Sequence, residues 1–374
     1  MGRALTTDVA AAAERYLALA VEASAGPAAI VELVLGDPPA VDAPRPYGEL
    51  AAEAGALAQE VEAAATDRAA YVAAHLRALA AACRVAAGDP PPFERLVADL
   101  LGGVRAVRVD KARFDEALAE LDALVPGDGD LRGRVEAWRR RRALPPDRLA
   151  AVARRLLEEA RRRTAAWVSL PDEDAVEVAV VRGRPWSAGS TYLGGCRSRI
   201  ELGADEPPTV ARLVDLVCHE AYPGHHAERV RLERRRRPEY RPVLATGPSS
   251  VVSEGLASLA ATLVFDEDDL RALARDAGLS PGRVEEEVVE WRAAAILSRL
   301  RAVNSNAALL PPAERAEYLV RYGLRSPERA ERIAAWMADP LHAAYTFAYP
   351  AGLSLVETLV ARNGRKETLR LLLS

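Results

Sequence analysis

A chain of 374 residues, half of them apolar and 28% charged, has the material for one large folded domain or two ordinary ones, which excludes a disordered chain. Its net charge of −4 gives no basis for nucleic-acid binding, and no apolar run reaches the length that spans a bilayer. Three widely spaced cysteines, Cys83, Cys196 and Cys218, make no disulfide framework and point to a reducing, cytoplasmic compartment.

The start Met1-Gly2 with Thr6 is a short match to a myristoylation signal and carries no weight by itself. Glu14-Arg15 interrupts the first apolar stretch, so neither a signal peptide nor a membrane span is expected. Residues 1–170 read as a helical scaffold or cleft wall. Alanine, leucine, arginine and glutamate dominate, with breaks at Gly36 to Pro39, Gly88 to Pro92, Gly102-Gly103, Pro126 to Gly129 and Pro145-Pro146. The run Arg139 to Arg142 falls in a helical stretch, as does Arg234 to Arg237, and both are expected to be solvated helix faces.

Residues 171–374 are expected to hold a site, either as a second region or as part of one continuous domain. Ala175 to Val181 alternates and is valine-rich, which predicts a short strand. Ser190 to Leu202 is glycine-interrupted and strand-like at its end. Thr209 is placed to cap a helix that carries Val210, Leu213, Val214 and Val217 as a buried stripe. Further helices follow, separated at Pro238, Gly247-Pro248, Gly278 to Gly282, Pro311-Pro312 and Asp339-Pro340. The fold class expected is mainly α, with a small β element ahead of one functional helix.

Three of the five histidines fall within Cys218-His219-Glu220-Ala221-Tyr222-Pro223-Gly224-His225-His226. Nine residues at about 100° each put His219 opposite Val210, off the core face. A His-Glu pair on a helix suggests a zinc hydrolase, in which two histidines hold the metal and the glutamate activates water. Four residues after His219, however, stands Pro223, which cannot ligate and must bulge or kink the helix. The second histidine therefore comes from beyond the break. His226 shares the face of His219 on an unbroken helix but lies about 10.5 Å along its axis; a two-residue bulge would bring in His225 instead. Glu254, directly before Gly255 at the start of a helical run, is the candidate third ligand. Its bland alternative is an acid favoured by the helix dipole. Cys218 is expected to be a small buried residue and no nucleophile.

HEAYPGHH (His219 to His226) followed by SEGLA (Ser253 to Ala257) resembles the signature of the bacterial domain-of-unknown-function 885 family. The likeness runs from roughly 110 to 360 and takes in Tyr349 and Gly352 near the C-terminus and Arg301. Asn304 stands where the family has aspartate and Ala308 where it has histidine. Leu256, Leu259 and Ala261 replace tryptophan, tyrosine and a second glutamate. The resemblance implies a helical, metallopeptidase-like protein of zincin type.

The mechanism expected has one zinc, or another divalent ion, on His219, His225 or His226, and Glu254, with Glu220 as general base. Tyr349 is the first candidate for the oxyanion donor, with Tyr345, His342 and Tyr222 behind it. Tyr192, Arg197, Arg199, Tyr222 and Tyr345 are candidates for holding a peptide or small amide substrate. Arg197 and Arg199 would clamp a carboxylate, and the strand from Tyr192 would pair with an extended chain. The rival expectations are a small-molecule amide as substrate, or a non-catalytic helical binding protein.

Overall fold

The computed structural model describes residues 8–183 and 187–373, so Gly2 and Thr6 lie outside the described residues. The first half is built of α1 (Val9–Ser24), α2 (Tyr47–Glu62), α3 (Asp67–Ala86), α4 (Phe93–Leu100), α5 (Lys111–Leu124), α6 (Leu131–Arg142) and α7 (Pro146–Ala165), with strand β1 (Val31–Val34) after α1. A sheet of β2 (Ala175–Val181), β3 (Ala188–Gly194) and β4 (Arg197–Gly203) comes next, then α8 (Val210–Glu220), α9 (His225–Arg235) and β5 (Pro242–Leu244). The remainder is α10 (Pro248–Val264), α11 (Glu267–Asp276), α12 (Pro281–Arg299), α13 (Ala302–Ala308), α14 (Pro312–Gly323), α15 (Pro327–Trp336), α16 (Pro340–Tyr345) and α17 (Ala348–Leu373), the last broken at Gly364. The fold is mainly helical, and no single helix among the described residues is long and apolar enough to cross a membrane.

Local chemistry explains where the helices begin. The side chains of Asp8, Thr66, Asp110, Asp130 and Thr209 each accept a hydrogen bond from a first-turn amide. Six helices (α7, α10, α12, α14, α15 and α16) open on proline, where the missing N–H costs nothing.

The three-stranded sheet has the order β2-β4-β3, with β2 parallel and β3 antiparallel to the central β4. The predicted strand at Ala175 to Val181 is β2. The glycines inside the second strand-like segment, Gly194 and Gly195, take positive φ and turn the β3–β4 hairpin. Sequence analysis did not anticipate β1, which pairs antiparallel with β5 across more than two hundred residues. Nothing local marks a four-residue strand with an irregular register.

Two large apolar clusters make up the core. One joins α1 to α5 with residues from Leu300 to Ala348, and the other joins α7, the three-stranded sheet, α8, α10 to α12 and the end of α17. Helix α10 feeds both, through Val251 on one side and Leu256 on the other. The expectation of a solvated Arg139–Arg142 face holds for Arg140 and Arg141, which are exposed, and is corrected for Arg139 and Arg142. Arg142 is buried, stacks 3.7 Å from the centroid of the Trp138 ring and pairs with Glu287 and Glu290, and Arg139 reaches Glu290 at 2.8 Å. Glu287 also accepts from the Ala211 amide at 2.7 Å, so this buried network fixes the start of α8. Arg234 to Arg237, in contrast, are exposed.

Helices α10 and α17 cross at backbone contact. A Cβ added to Gly255 would lie 2.3 Å from the Gly352 carbonyl oxygen, and one on Gly352 would lie 2.1 Å from that of Val251. Only glycine permits this approach, which holds Glu254 beside Tyr345 and Tyr349. Gly352→Ala is expected to force the helices apart and lower stability by about 1–3 kcal/mol. A thermal melt checks this; an unchanged Tm would mean that the crossing is loose.

Candidate metal centre

The site begins with a helix that is made to break. Helix α8 ends on His219-Glu220; Ala221 leaves helical geometry, the Tyr222-Pro223 peptide is cis, and α9 starts at His225. A Cβ on Gly224 would lie 2.0 Å from the His219 carbonyl oxygen, so the return of the chain past the helix end requires glycine there. The break brings the His225 ring to 4.8 Å from that of His219, centroid to centroid and edge-on.

Glu254 meets both histidines. His219 Nε2 lies 3.8 Å from Glu254 Oε2, and His225 Nε2 lies 3.8 Å from Glu254 Oε1. The ligand atoms of the three residues all fall within 4.8 Å of one another. Glu254 sits nearly two turns inside α10 and its side chain is only 5% exposed, so the alternative of a first-turn acid does not apply.

His226 is placed elsewhere, which corrects its candidacy as a ligand. Its side chain is fully buried, Nε2 contacts Asp174 Oδ1 at 2.5 Å, and Nδ1 contacts Ser198 Oγ at 2.7 Å. With both ring nitrogens engaged, no lone pair is left for a metal. Asp174 also accepts from Tyr222 Oη at 2.8 Å and from Arg161 Nε at 2.9 Å. Burial alone would raise the Asp174 carboxyl; hydrogen bonds from His226, Tyr222 and Arg161 reverse this and hold it below its usual range. The Ser-His-Asp string is thus a buried brace between the sheet and the start of α9. Tyr222 belongs to this brace and is 1% exposed, which removes it from the substrate candidates.

The donor set fits a divalent cation. Burial, and then the charge of Arg229, pushes His225 down to about 4. Burial, then His225 and Arg301, depresses His219 well below its usual value. Both rings are therefore neutral at physiological pH. The Ser253 hydroxyl donates to Glu228, so its oxygen accepts from His225 Nδ1–H at 3.1 Å and leaves Nε2 as a bare lone pair. Burial raises the Glu254 carboxyl, and its Oε2 is a buried oxygen without a hydrogen-bond partner. An orphaned carboxylate oxygen beside two neutral imidazoles is a donor set that could hold a cation.

His225 and Glu254 line a polar cleft of about 190 Å³, together with Glu220, Tyr345, Arg229 and Glu32, and with Ser190 and Tyr192 of β3. Glu220 is 8% exposed, and burial, then the Glu254 carboxylate, raises it to about 7. Tyr345 donates its hydroxyl to Glu254 Oε1. Tyr349 stands edge-on to Tyr345 with ring centroids 5.6 Å apart and also helps hold the Glu254 carboxyl. Burial raises both phenols, so they stay protonated as donors. His342 is stacked on Trp336, 4.5 Å away.

Arg197 and Arg199 do not reach the cleft, which corrects their assignment as a carboxylate clamp. They lie on the exposed side of β4, where Arg199 pairs with Glu177, while Ser198 and Ile200, which alternate with them, point inward. Tyr192 does line the cleft, but its hydroxyl is held by Glu233 at 2.6 Å. Sequence analysis missed Glu228, Arg229, Ser253, Asp174 and Glu32. Glu228 had a signal, since it stands three residues after His225 on the same helical face. Asp174 and Glu32 had none.

No family profile matches the chain, and no curated protein matches it. Among solved structures it is similar to a protein of Colwellia psychrerythraea described as a candidate lipoprotein, at 15% identity and a TM-score of 0.53, over 88% of this chain and 64% of that one. A candidate lipoprotein of unknown function from Shewanella oneidensis follows at 12% identity and a TM-score of 0.47, over 88% and 73%. A carboxypeptidase of Pyrococcus furiosus gives 13% identity and a TM-score of 0.36, over 100% and 90%. The first is a likeness of fold, and this chain spans 64% of that protein's length.

Proposed function

We propose that this chain is a zinc-dependent amide hydrolase of the metallopeptidase type, cleaving a peptide or a small amide. The observation that carries the reading is the meeting of His219, His225 and Glu254, whose Oε2 is unpartnered, at the edge of a cleft that His225 and Glu254 line together with Glu220. Two imidazoles and a carboxylate suit zinc, and such an ion, when bound, polarises a carbonyl and acidifies water. Glu220, raised to about 7, is matched to take a proton from the attacking water and return it to the leaving nitrogen. The Tyr345 phenol, which donates to Glu254 Oε1, would have to turn from that carboxylate to supply a hydrogen bond to the substrate oxyanion, with Tyr349 beside it as the other candidate donor. Strand β3 is an edge strand that lines the cleft through Ser190 and Tyr192, so its free side suits pairing with an extended substrate.

A second reading keeps the chemistry and changes the substrate. A cleft of about 190 Å³ is small for a long peptide and favours a small amide or a biosynthetic intermediate.

Elemental analysis tests the reading. One equivalent of zinc is expected in the wild type and much less in His219→Ala, His225→Ala and Glu254→Gln, with folding verified by circular dichroism. A wild type that takes up no metal when zinc is supplied would sink the hydrolase and leave a helical binding protein.

A further inference from the structure

Helix α9 borders two cavities, one on each of its faces. At about 100° per residue Arg234 stands opposite His225, with Val230 and Arg231 to either side of it, so these three face away from the metal centre. There they line a separate cavity of about 210 Å³. Val168 and Leu170, from the segment between α7 and β2, and Leu373, at the end of α17, supply apolar walls. Arg235 adds a third guanidinium group. The described residues that line this cavity include three arginines and no carboxylate.

A solvated helix face does not account for this arrangement. The helix dipole favours Arg234 and Arg235, which stand in the last turn of α9. Arg231 lies one turn earlier and is half-buried next to the buried Val230. Burial, and then the charge of Arg235, lowers Arg231 from its usual value, so its guanidinium has lost part of its water. Arg235 is held in position, 5.1 Å from the centroid of the Tyr240 ring and donating to Tyr240 Oη at 3.2 Å. Arg234 pairs with Glu173 at 3.4 Å, but both side chains are more than half exposed, so that pair contributes little and opens readily. An apolar floor beside fixed guanidinium groups matches a molecule with a carbon body and an oxyanion head. The volume is below that of sites for drug-sized ligands, so the occupant is compact.

We propose that this cavity is a binding site for a small amphipathic anion, whose carboxylate or phosphate head meets the three guanidinium groups while its carbon body lies against Val168, Val230 and Leu373. The site does not rest on the hydrolase reading, since none of its residues is a candidate metal ligand or lines the cleft of the metal centre.

The test titrates the full chain by calorimetry with hexyl phosphate and, separately, with hexanoate. At least one is expected to bind, and at least tenfold more tightly than inorganic phosphate or hexanol, which each carry half of the recognised chemistry. Arg231→Met and Arg234→Met should each weaken that binding tenfold or more, with folding verified by circular dichroism. Ser169 is exposed and lines the same cavity, so Ser169→Trp should block it without removing a charge or disturbing the core. Binding of hexyl phosphate alone would mark a phosphate head, and of hexanoate alone a carboxylate. Sedimentation with phosphatidylglycerol vesicles separates the two sources of such an anion. Pelleting that Arg234→Met and Ser169→Trp both abolish assigns a membrane lipid, and binding of the soluble probes without pelleting assigns a free molecule. Absence of binding, equal affinity for inorganic phosphate or hexanol, or unchanged affinity in the three variants would overturn the site.

Discussion

Replacing Glu220 by glutamine is expected to lower amide hydrolysis by about 10²–10⁴-fold while leaving the metal content unchanged. Glutamine preserves the shape of the side chain and removes the basic oxygen, so binding and positioning survive and proton transfer does not. The same substitution should stabilise the metal-free protein at alkaline pH. The Glu220 carboxyl is raised from 4.5 to about 7, first by burial and then by Glu254. Between those values the folded chain holds a proton that the unfolded chain has released, so stability falls as pH rises through that window. Above it the full cost of a buried charge is present, on the order of 3 kcal/mol. Glu220→Gln should therefore melt above the wild type at pH 8 in chelator, with the difference gone below pH 4.5. A cation opposes the rise, so zinc should shrink the gap. A variant that keeps full activity would remove Glu220 from the chemistry, and one less stable than wild type at pH 8 would show that its carboxylate is satisfied.

What the sequence disclosed follows the reach of each signal. Caps, prolines and glycines act over a few residues, so Thr209, the proline-led helix starts and the break at Pro223-Gly224 were legible. The helix that carries His219 was legible for the same reason, through the spacing of Val210, Leu213, Val214 and Val217. Choosing between His225 and His226 was not a local matter. It depended on Asp174 and Ser198, which come from a loop and a central strand and occupy both nitrogens of His226. Arg142 misled for a similar reason. A run of arginines reads as a solvated face until Glu287 and Glu290 arrive from α12, well over a hundred residues away. Gly255 and Gly352 carry no periodic signal of their own, and their role is visible only where two helix backbones touch. Leu256, Ala261 and Ala308 are buried in the apolar clusters, a placement that only the packing of distant helices reveals.

Cutting the support behind His225 should weaken metal binding without touching a ligand. Glu228 is buried and accepts the Ser253 hydroxyl proton, which forces the Ser253 oxygen to accept from His225 Nδ1–H. The chain from carboxylate to hydroxyl to imidazole fixes the ring tautomer and its direction, leaving Nε2 facing Glu254. In Ser253→Ala the Nδ1 proton loses its acceptor, and the ring is free to rotate or to move its proton to Nε2, the atom the metal needs. In Glu228→Gln the amide can donate to Ser253 instead of accepting, which turns the hydroxyl proton towards Nδ1 and favours the wrong tautomer. Each variant is expected to lower zinc affinity by about 10–100-fold, measured by competition with a chelating dye. The double variant should be little worse than either single one, because both cut the same chain. Nitrogen-15 NMR of the metal-free protein gives a readout independent of zinc: His225 should be protonated at Nδ1 in the wild type and shift towards Nε2 in Glu228→Gln. Losses that add in the double variant, or an unchanged His225 tautomer, would mean that Glu228 supports the fold of α9 and not the orientation of its ligand.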